Sequence, residues 1–336
     1  MHIPKWLLAL IVVVILAVAV VGGLFLSHRR AGLVEIQQSQ VLAASPVAKQ
    51  IGVPQSSTGQ GQGLTVLFYY EGFSSSDDAL RDIGLLEATL ETTEPFASSN
   101  ILSTRVFTTA GQKCMVVRSA KNLLHCDASL IPEINKLGIQ NFKLVILSPL
   151  NFVPNATVAR GKNSAIYLPA YQGVLTRTEL DTFLSRFFLH ELGHSLGLRD
   201  EYARQRPEEA IIDANSAAAP SSNVAYQAAQ PNCALDKTTA QQWWGAYITA
   251  KVPGVGLYSG CAGKTAYYYP VQNTLMSDDP QVPTYGRVSE DYIRGALDCF
   301  FGAKTTIRYP ANYPATVASP TSCAAFTQTY PNFWVE

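Results

Sequence analysis

Phe187-Phe188-Leu189-His190-Glu191-Leu192-Gly193-His194-Ser195-Leu196-Gly197-Leu198-Arg199-Asp200-Glu201-Tyr202 is the stretch that decides how this chain is read. Apolar residues at Phe183, Leu184, Phe187, Phe188, Leu189, Leu192 and Leu196 mark a largely buried helix. His190 and His194, four apart, lie one turn from each other on one face. Two imidazoles so placed can reach one zinc ion at about 2.0–2.1 Å. Glu191, beside the first histidine, is then positioned as a general base and not as a ligand. Gly197 has no Cβ to clash in a left-handed turn, so it is the natural residue to end the helix. The chain can fold back from there and bring Asp200 in as a third ligand, with a fourth position left open. A histidine pair on a helix can also be two solvated side chains, but two buried imidazoles beside a buried carboxylate are costly without a partner. The expectation is a Zn2+ site of His190, His194 and Asp200, with Glu191 as catalytic base.

Toward the amino terminus, a short tail (1–5) precedes an unbroken apolar or small-residue run from Trp6 to Leu26. A bilayer core needs about 20 such residues in a helix. A cleaved signal has an apolar region of roughly 7–15 residues with a cleavage site close behind. Leu42-Ala43-Ala44-Ser45 lies too far downstream for that, so a single-pass membrane anchor is expected. Lys5 on one side and Arg29 and Arg30 on the other leave its orientation undecided by charge. The six cysteines all lie beyond residue 113, with no Cys-x-x-Cys among them. Sequential pairing (Cys114 with Cys126, Cys233 with Cys261, Cys299 with Cys323) is the preferred connectivity. Disulfides imply an oxidising compartment, hence a catalytic part outside the cell. Residues 27–63, rich in Gln, Ser, Gly and Ala, read as a flexible linker. With 25 Lys+Arg against 25 Asp+Glu and no basic stripe, nucleic acid is not an expected partner.

Residues 64–336 are long enough for one sizeable domain, read as two lobes around a cleft. Leu64–Tyr70, Ile101–Thr108 and Phe142–Leu147 predict strands, and Cys114–Arg118 with Leu123–Cys126 predicts a hairpin. Asp77 or Asp78 is expected to cap a helix running through Leu90, and Ser129 to cap a short one ending near Gly138. Ser164–Pro169 alternates and ends in proline, which suits an edge strand able to receive an extended substrate. Thr178, with Asp181 three residues on, opens the helix that carries His190. Alternating strands and helices give an α/β (α+β) class with a mixed sheet. Glu208 to Pro231 reads as a mobile loop.

His190-Glu191-x-x-His194-x-x-Gly197-x-x-Asp200 resembles the extended motif of the metzincin clan of zinc peptidases, in its variant with aspartate as third ligand. Asn273-Thr274-Leu275-Met276-Ser277 is similar to the methionine turn that lies beneath the metal in that clan. The chain has only three methionines, Met1, Met115 and Met276, which makes one in such a turn informative. The resemblance implies a zincin-like two-lobed fold and a peptide or protein substrate. In the clan, the region of Trp243, Trp244 and Tyr267–Tyr269 walls the pocket after the scissile bond, though these residues equally suit a lower-lobe core. The ending Asp200-Glu201-Tyr202 resembles that of the bacterial IgA-peptidase-like family. This chain has one residue fewer between His194 and Asp200, so Asp200 and Glu201 both stand as third-ligand candidates. Tyr202 and Tyr285 are candidates for assisting at the oxyanion.

The resulting expectation is a membrane-anchored extracellular zinc endopeptidase. One rival is the zinc-peptidase class whose third ligand is a glutamate on a separate helix, here Glu290. Others are a cell-wall hydrolase and a tethered binding or adhesion module on an inactive zincin fold.

Overall fold

Leu64–Tyr70 (β3) and Phe142–Ser148 (β7) are buried along nearly their whole length on both faces, as strands covered by other elements on both sides must be. A computed structural model describes residues 42–44, 49–51, 63–108, 113–118, 122–127, 130–136, 139, 141–152, 154–156, 164–170, 175–202, 231–277, 283–311, 313 and 316–330. β3 pairs in parallel with Ile101–Thr108 (β4) on one side and with β7 on the other. β7 pairs in parallel with Ser164–Pro169 (β9). Three short strands complete the sheet in antiparallel sense: Leu42–Ala44 (β1) and Lys49–Ile51 (β2) along β4, and Asn155–Ala156 (β8) along β9. The architecture is a mixed α/β one, with parallel and antiparallel pairings in one sheet.

Alternation along the strands sends successive side chains to two different cores. Val66, Phe68, Val145, Leu147, Ile166 and Leu168 pack with two helices, Ser76–Thr92 (α1) and Arg177–Ser195 (α3). Leu67, Tyr69, Leu144, Ile146 and Ala165 pack with the helix Leu130–Asn135 (α2) and the hairpin Cys114–Arg118 (β5) and Asn122–Cys126 (β6). Buried Asp82 of α1 accepts from Arg177 at the start of α3, 2.6 Å away. After α3 come the helix Lys237–Thr249 (α4), the hairpin Val255–Cys261 (β10) and Lys264–Val271 (β11), and the helix Arg287–Ala296 (α5). A π-helical turn, Leu297–Phe301, follows α5, and Cys323–Thr329 (α6) is the last helix. A smaller core of Ala234, Ala240, Trp244, Tyr247 and Val288 holds this part together, with Trp243 and Tyr268 against it. Trp244 is fully buried and donates from Nε1 to the Gly256 carbonyl, so for Trp243, Trp244 and Tyr268 the core reading holds.

Several expectations change in detail. The cap of α1 is Ser75, whose side chain accepts from Asp77 N–H; Asp77 and Asp78 sit in the first turn, where carboxylates favour the helix dipole. The stretch read as a linker contributes β1 and β2, because an antiparallel edge is held by main-chain bonds that composition does not reveal. β9 is not a free edge: Asn155 and Ala156 pair with Tyr167 and Ile166. The Trp6–Leu26 run, Ser129 and most of the Glu208–Pro231 loop lie outside the described residues. Among the described residues no helix is long and apolar enough to cross a membrane.

All six cysteines are paired, Cys114–Cys126, Cys233–Cys261 and Cys299–Cys323, the sequential connectivity. The first closes β5 on β6, where the two residues are direct cross-strand partners. Peptide mapping without reductant is therefore expected to recover these three cross-links and no alkylatable thiol. A shuffled pattern would show that the packing around the hairpins is drawn wrongly.

Candidate metal centre

The helix α3 is closed at both ends by local sequence. At its start Thr176 and Glu179 form a capping box, each side chain accepting from the other's backbone N–H. At its end Leu198 N–H donates to the Gly193 carbonyl and Gly197 N–H to the His194 carbonyl, both at 2.9 Å. This is a Schellman closure with Gly197 at φ +98°. A Cβ at that position would lie 3.1 Å from the Tyr292 hydroxyl, so backbone angle and space both call for glycine.

The closure delivers a carbonyl where the site needs one. His194 Nδ1 lies 2.9 Å from the Leu198 carbonyl, and His190 Nδ1 lies 2.7 Å from that of Leu275. A carbonyl only accepts, so both Nδ1 atoms carry hydrogen and both Nε2 lone pairs are left to face each other. The two Nε2 atoms are 3.1 Å apart, and Asp200 Oδ1 lies 3.2 and 3.4 Å from them. Tetrahedral coordination with bonds of about 2.0–2.1 Å requires donor–donor separations of about 3.3 Å. His190, His194 and Asp200 could therefore hold a metal ion. Asp200 Oδ1 is buried and has no hydrogen-bond partner among the described residues, as expected of an atom reserved for a cation.

The charges agree with the geometry. Burial works against protonation of His194, but the carboxylates of Asp200 and Glu191 override it and push the imidazole up to about 9. Burial would likewise raise Asp200, yet the two histidines hold its carboxyl well below the usual range. The field of the two carboxylates thus favours positive charge at the Nε2 atoms, where a metal ion would take the place of a proton. Glu191 is buried on α3 next to His190 and close enough for its charge to act on His194.

Glu201, the other third-ligand candidate, turns the opposite way. Its carboxylate accepts from Asn232 Nδ2 at 2.9 Å and from the Thr274 hydroxyl, and burial pushes it up to about 8. Its N–H donates to the Met276 carbonyl at 2.8 Å. Asn232 also brackets Arg199, accepting from its N–H and donating to its carbonyl. The Asp200 loop is thus clamped to the turn of residues 274–277, the same turn whose Leu275 carbonyl orients His190. Met276 is fully buried beneath the helix, and a Cβ on Gly193 would meet its Sδ at 2.7 Å. Tyr285 is buried and donates to the Leu189 carbonyl, a structural bond that takes it away from any oxyanion. Tyr202 is partly exposed, and its carbonyl accepts from Gly263 in the β10–β11 turn. Glu290 lies on α5 and is not part of the cluster; burial and Asp291 push it up to about 7. Asn232, Tyr292 and Lys143, all tied to this site, carried no sequence signal, since each acts through bonds to residues distant in the chain; Thr274 lay in the quoted turn, but its bond to Glu201 is equally long-range. The chain matches no protein-family model and no curated protein.

Three outcomes follow for metal binding measured by chelator competition. Asp200→Ala should lower the affinity by more than about 100-fold and Glu201→Ala by about 10–100-fold, because the first removes a ligand and the second its support. Glu290→Ala should leave the affinity unchanged; a large loss there, with Asp200→Ala harmless, would reverse the ligand set. Gly193→Ala should cost about 1–3 kcal/mol in denaturant unfolding, since the added methyl must displace Met276 or Tyr285.

Proposed function

We propose that this protein is a zinc-dependent endopeptidase, a divergent relative of the metzincin clan with a zincin-like catalytic domain. The carrying observation is the triangle of His190 Nε2, His194 Nε2 and Asp200 Oδ1, with the buried carboxylate of Glu191 one residue from the first ligand. Three protein donors with a fourth position open is the pattern of a catalytic zinc site, where a structural site would fill all four positions. The Schellman turn at Gly197 and the packing of Met276 on Gly193 support the clan resemblance.

His190, His194 and Asp200 would hold the zinc ion, which would supply an acidified water and polarise the scissile carbonyl when bound. Glu191 takes the proton from the attacking water and returns it to the leaving amine, a role that needs a carboxylate beside the ligands and not among them. Leu275 and Leu198 hold the imidazoles in the tautomer that faces the ion. Asp200 contributes the negative charge that makes the set selective for a cation.

The domain is further proposed to act outside the cell, tethered by the Trp6–Leu26 run. Three disulfides in the catalytic part support an oxidising compartment.

Glu191→Gln in the full chain decides the assignment of roles. The variant should retain zinc while casein or gelatin hydrolysis falls roughly 10²–10⁴-fold, the span a positioned acid–base group contributes. Chelator should abolish the wild-type activity and added zinc restore it. Undiminished turnover in the variant would rule out Glu191 as the base.

A further inference from the structure

Lys143 is the second residue of β7, one of the two middle strands of the sheet, and it is fully buried. It alternates with Val145 and Leu147 and so belongs to the face that α3 covers. An ammonium at such a place is unfavourable unless its hydrogens find partners. Nζ donates to the Ser195 carbonyl at 2.7 Å and lies 5.5 Å from the centre of the Phe301 ring.

Ser195 is the last residue of α3, and its carbonyl is one of those a helix end leaves without an internal partner. It also stands at the negative end of the helix dipole, where a cationic donor is favoured. The other carbonyls of this turn are met by the protein nearby. Leu192 accepts from Leu196 N–H, Gly193 from Leu198 N–H, His194 from Gly197 N–H, and Leu196 from the Tyr292 hydroxyl. Only the Ser195 bond, among these, ties the turn to the sheet. His194 immediately precedes it in sequence, and the left-handed Gly197 follows two residues later.

We propose that Lys143 is a positioning residue of the metal centre, holding the Ser195 carbonyl against the sheet and so fixing the turn from which His194 and Asp200 reach the ion. The inference rests on the zinc reading above. Burial pushes the Lys143 amine down to about 7, and both its protonation states keep an N–H to donate. A lysine kept only for stability would be a poor choice here, since an apolar residue of similar volume is often as good or better in a buried position. What methionine would lack is the donor at the helix end.

Lys143→Met and Lys143→Gln in the full chain separate the two roles. Zn2+ affinity is read by chelator competition, and the unfolding temperature is read on the metal-free protein. Lys143→Met should bind Zn2+ about tenfold more weakly or worse, while its metal-free unfolding temperature is unchanged or higher. Lys143→Gln, which keeps a neutral donor, should recover part of the affinity. Wild-type affinity in Lys143→Met overturns the proposal, as does an affinity loss that only follows a lowered unfolding temperature in both variants. A methionine variant that does not fold would make Lys143 a folding requirement and overturn it too. A wild-type chain that binds no Zn2+ would overturn the zinc reading first, and the proposal with it.

Discussion

The hydrogen bond from Leu198 N–H to the Gly193 carbonyl, with Gly197 turned left-handed between them, sets the direction in which the chain leaves the site helix. That one closure has three consequences. It presents the Leu198 carbonyl to His194 Nδ1, which fixes the imidazole with Nε2 toward His190 and Asp200. It sends residues 199–202 back past the helix, so that Asp200 Oδ1 meets both Nε2 atoms. It also exposes the Ser195 and Leu196 carbonyls to donors from β7 and α5, which lock the turn from outside. An L-residue with a Cβ at Gly197 would meet both an unfavourable backbone angle and the Tyr292 hydroxyl.

The second organising feature is the turn of residues 274–277. It reaches both ends of the cluster, His190 through the Leu275 carbonyl and the Asp200 loop through Glu201. Thr274 links the two, donating to Glu201 while accepting from Met276 N–H. Ligands held through such outer partners lose little freedom when an ion binds, which is how a preformed site gains affinity without further contacts. The neighbouring disulfide Cys233–Cys261 follows Asn232 directly and joins it to the end of β10. Ala262, next in the chain, donates to the Asp200 carbonyl. Asp200 is therefore braced on its backbone as well as through Glu201.

Much of this was legible in the chain itself, and the parts that were not share a physical cause. The spacing of His190, Glu191, His194, Gly197 and Asp200 is set by helix geometry and one turn, both local, so sequence suffices. The buried strands β3 and β7 announce themselves by apolar, β-branched runs, and the disulfides by their order. Between Asp200 and Glu201 the spacing from Gly197 favoured Asp200, but what turns Glu201 away was not legible, because it depends on Asn232 and Thr274, about 30 and 70 residues away. Lys143 sits in what reads as an ordinary core strand, and its partner is a backbone carbonyl that no side-chain pattern encodes. β1, β2 and β8 are held by main-chain pairing of very short segments, which composition does not report. Ser75 is a weak cap signal in the sequence because the acidic pair that follows it marks a first turn more strongly.

Anomalous diffraction at the zinc edge from crystals of the zinc-loaded chain tests the central claim most directly. One strong peak is expected about 2.0–2.2 Å from each of His190 Nε2, His194 Nε2 and Asp200 Oδ1, with Glu201 still bonded to Asn232 and Thr274. A peak ligated by Glu201 or Glu290, or lying away from the two histidines, would contradict it.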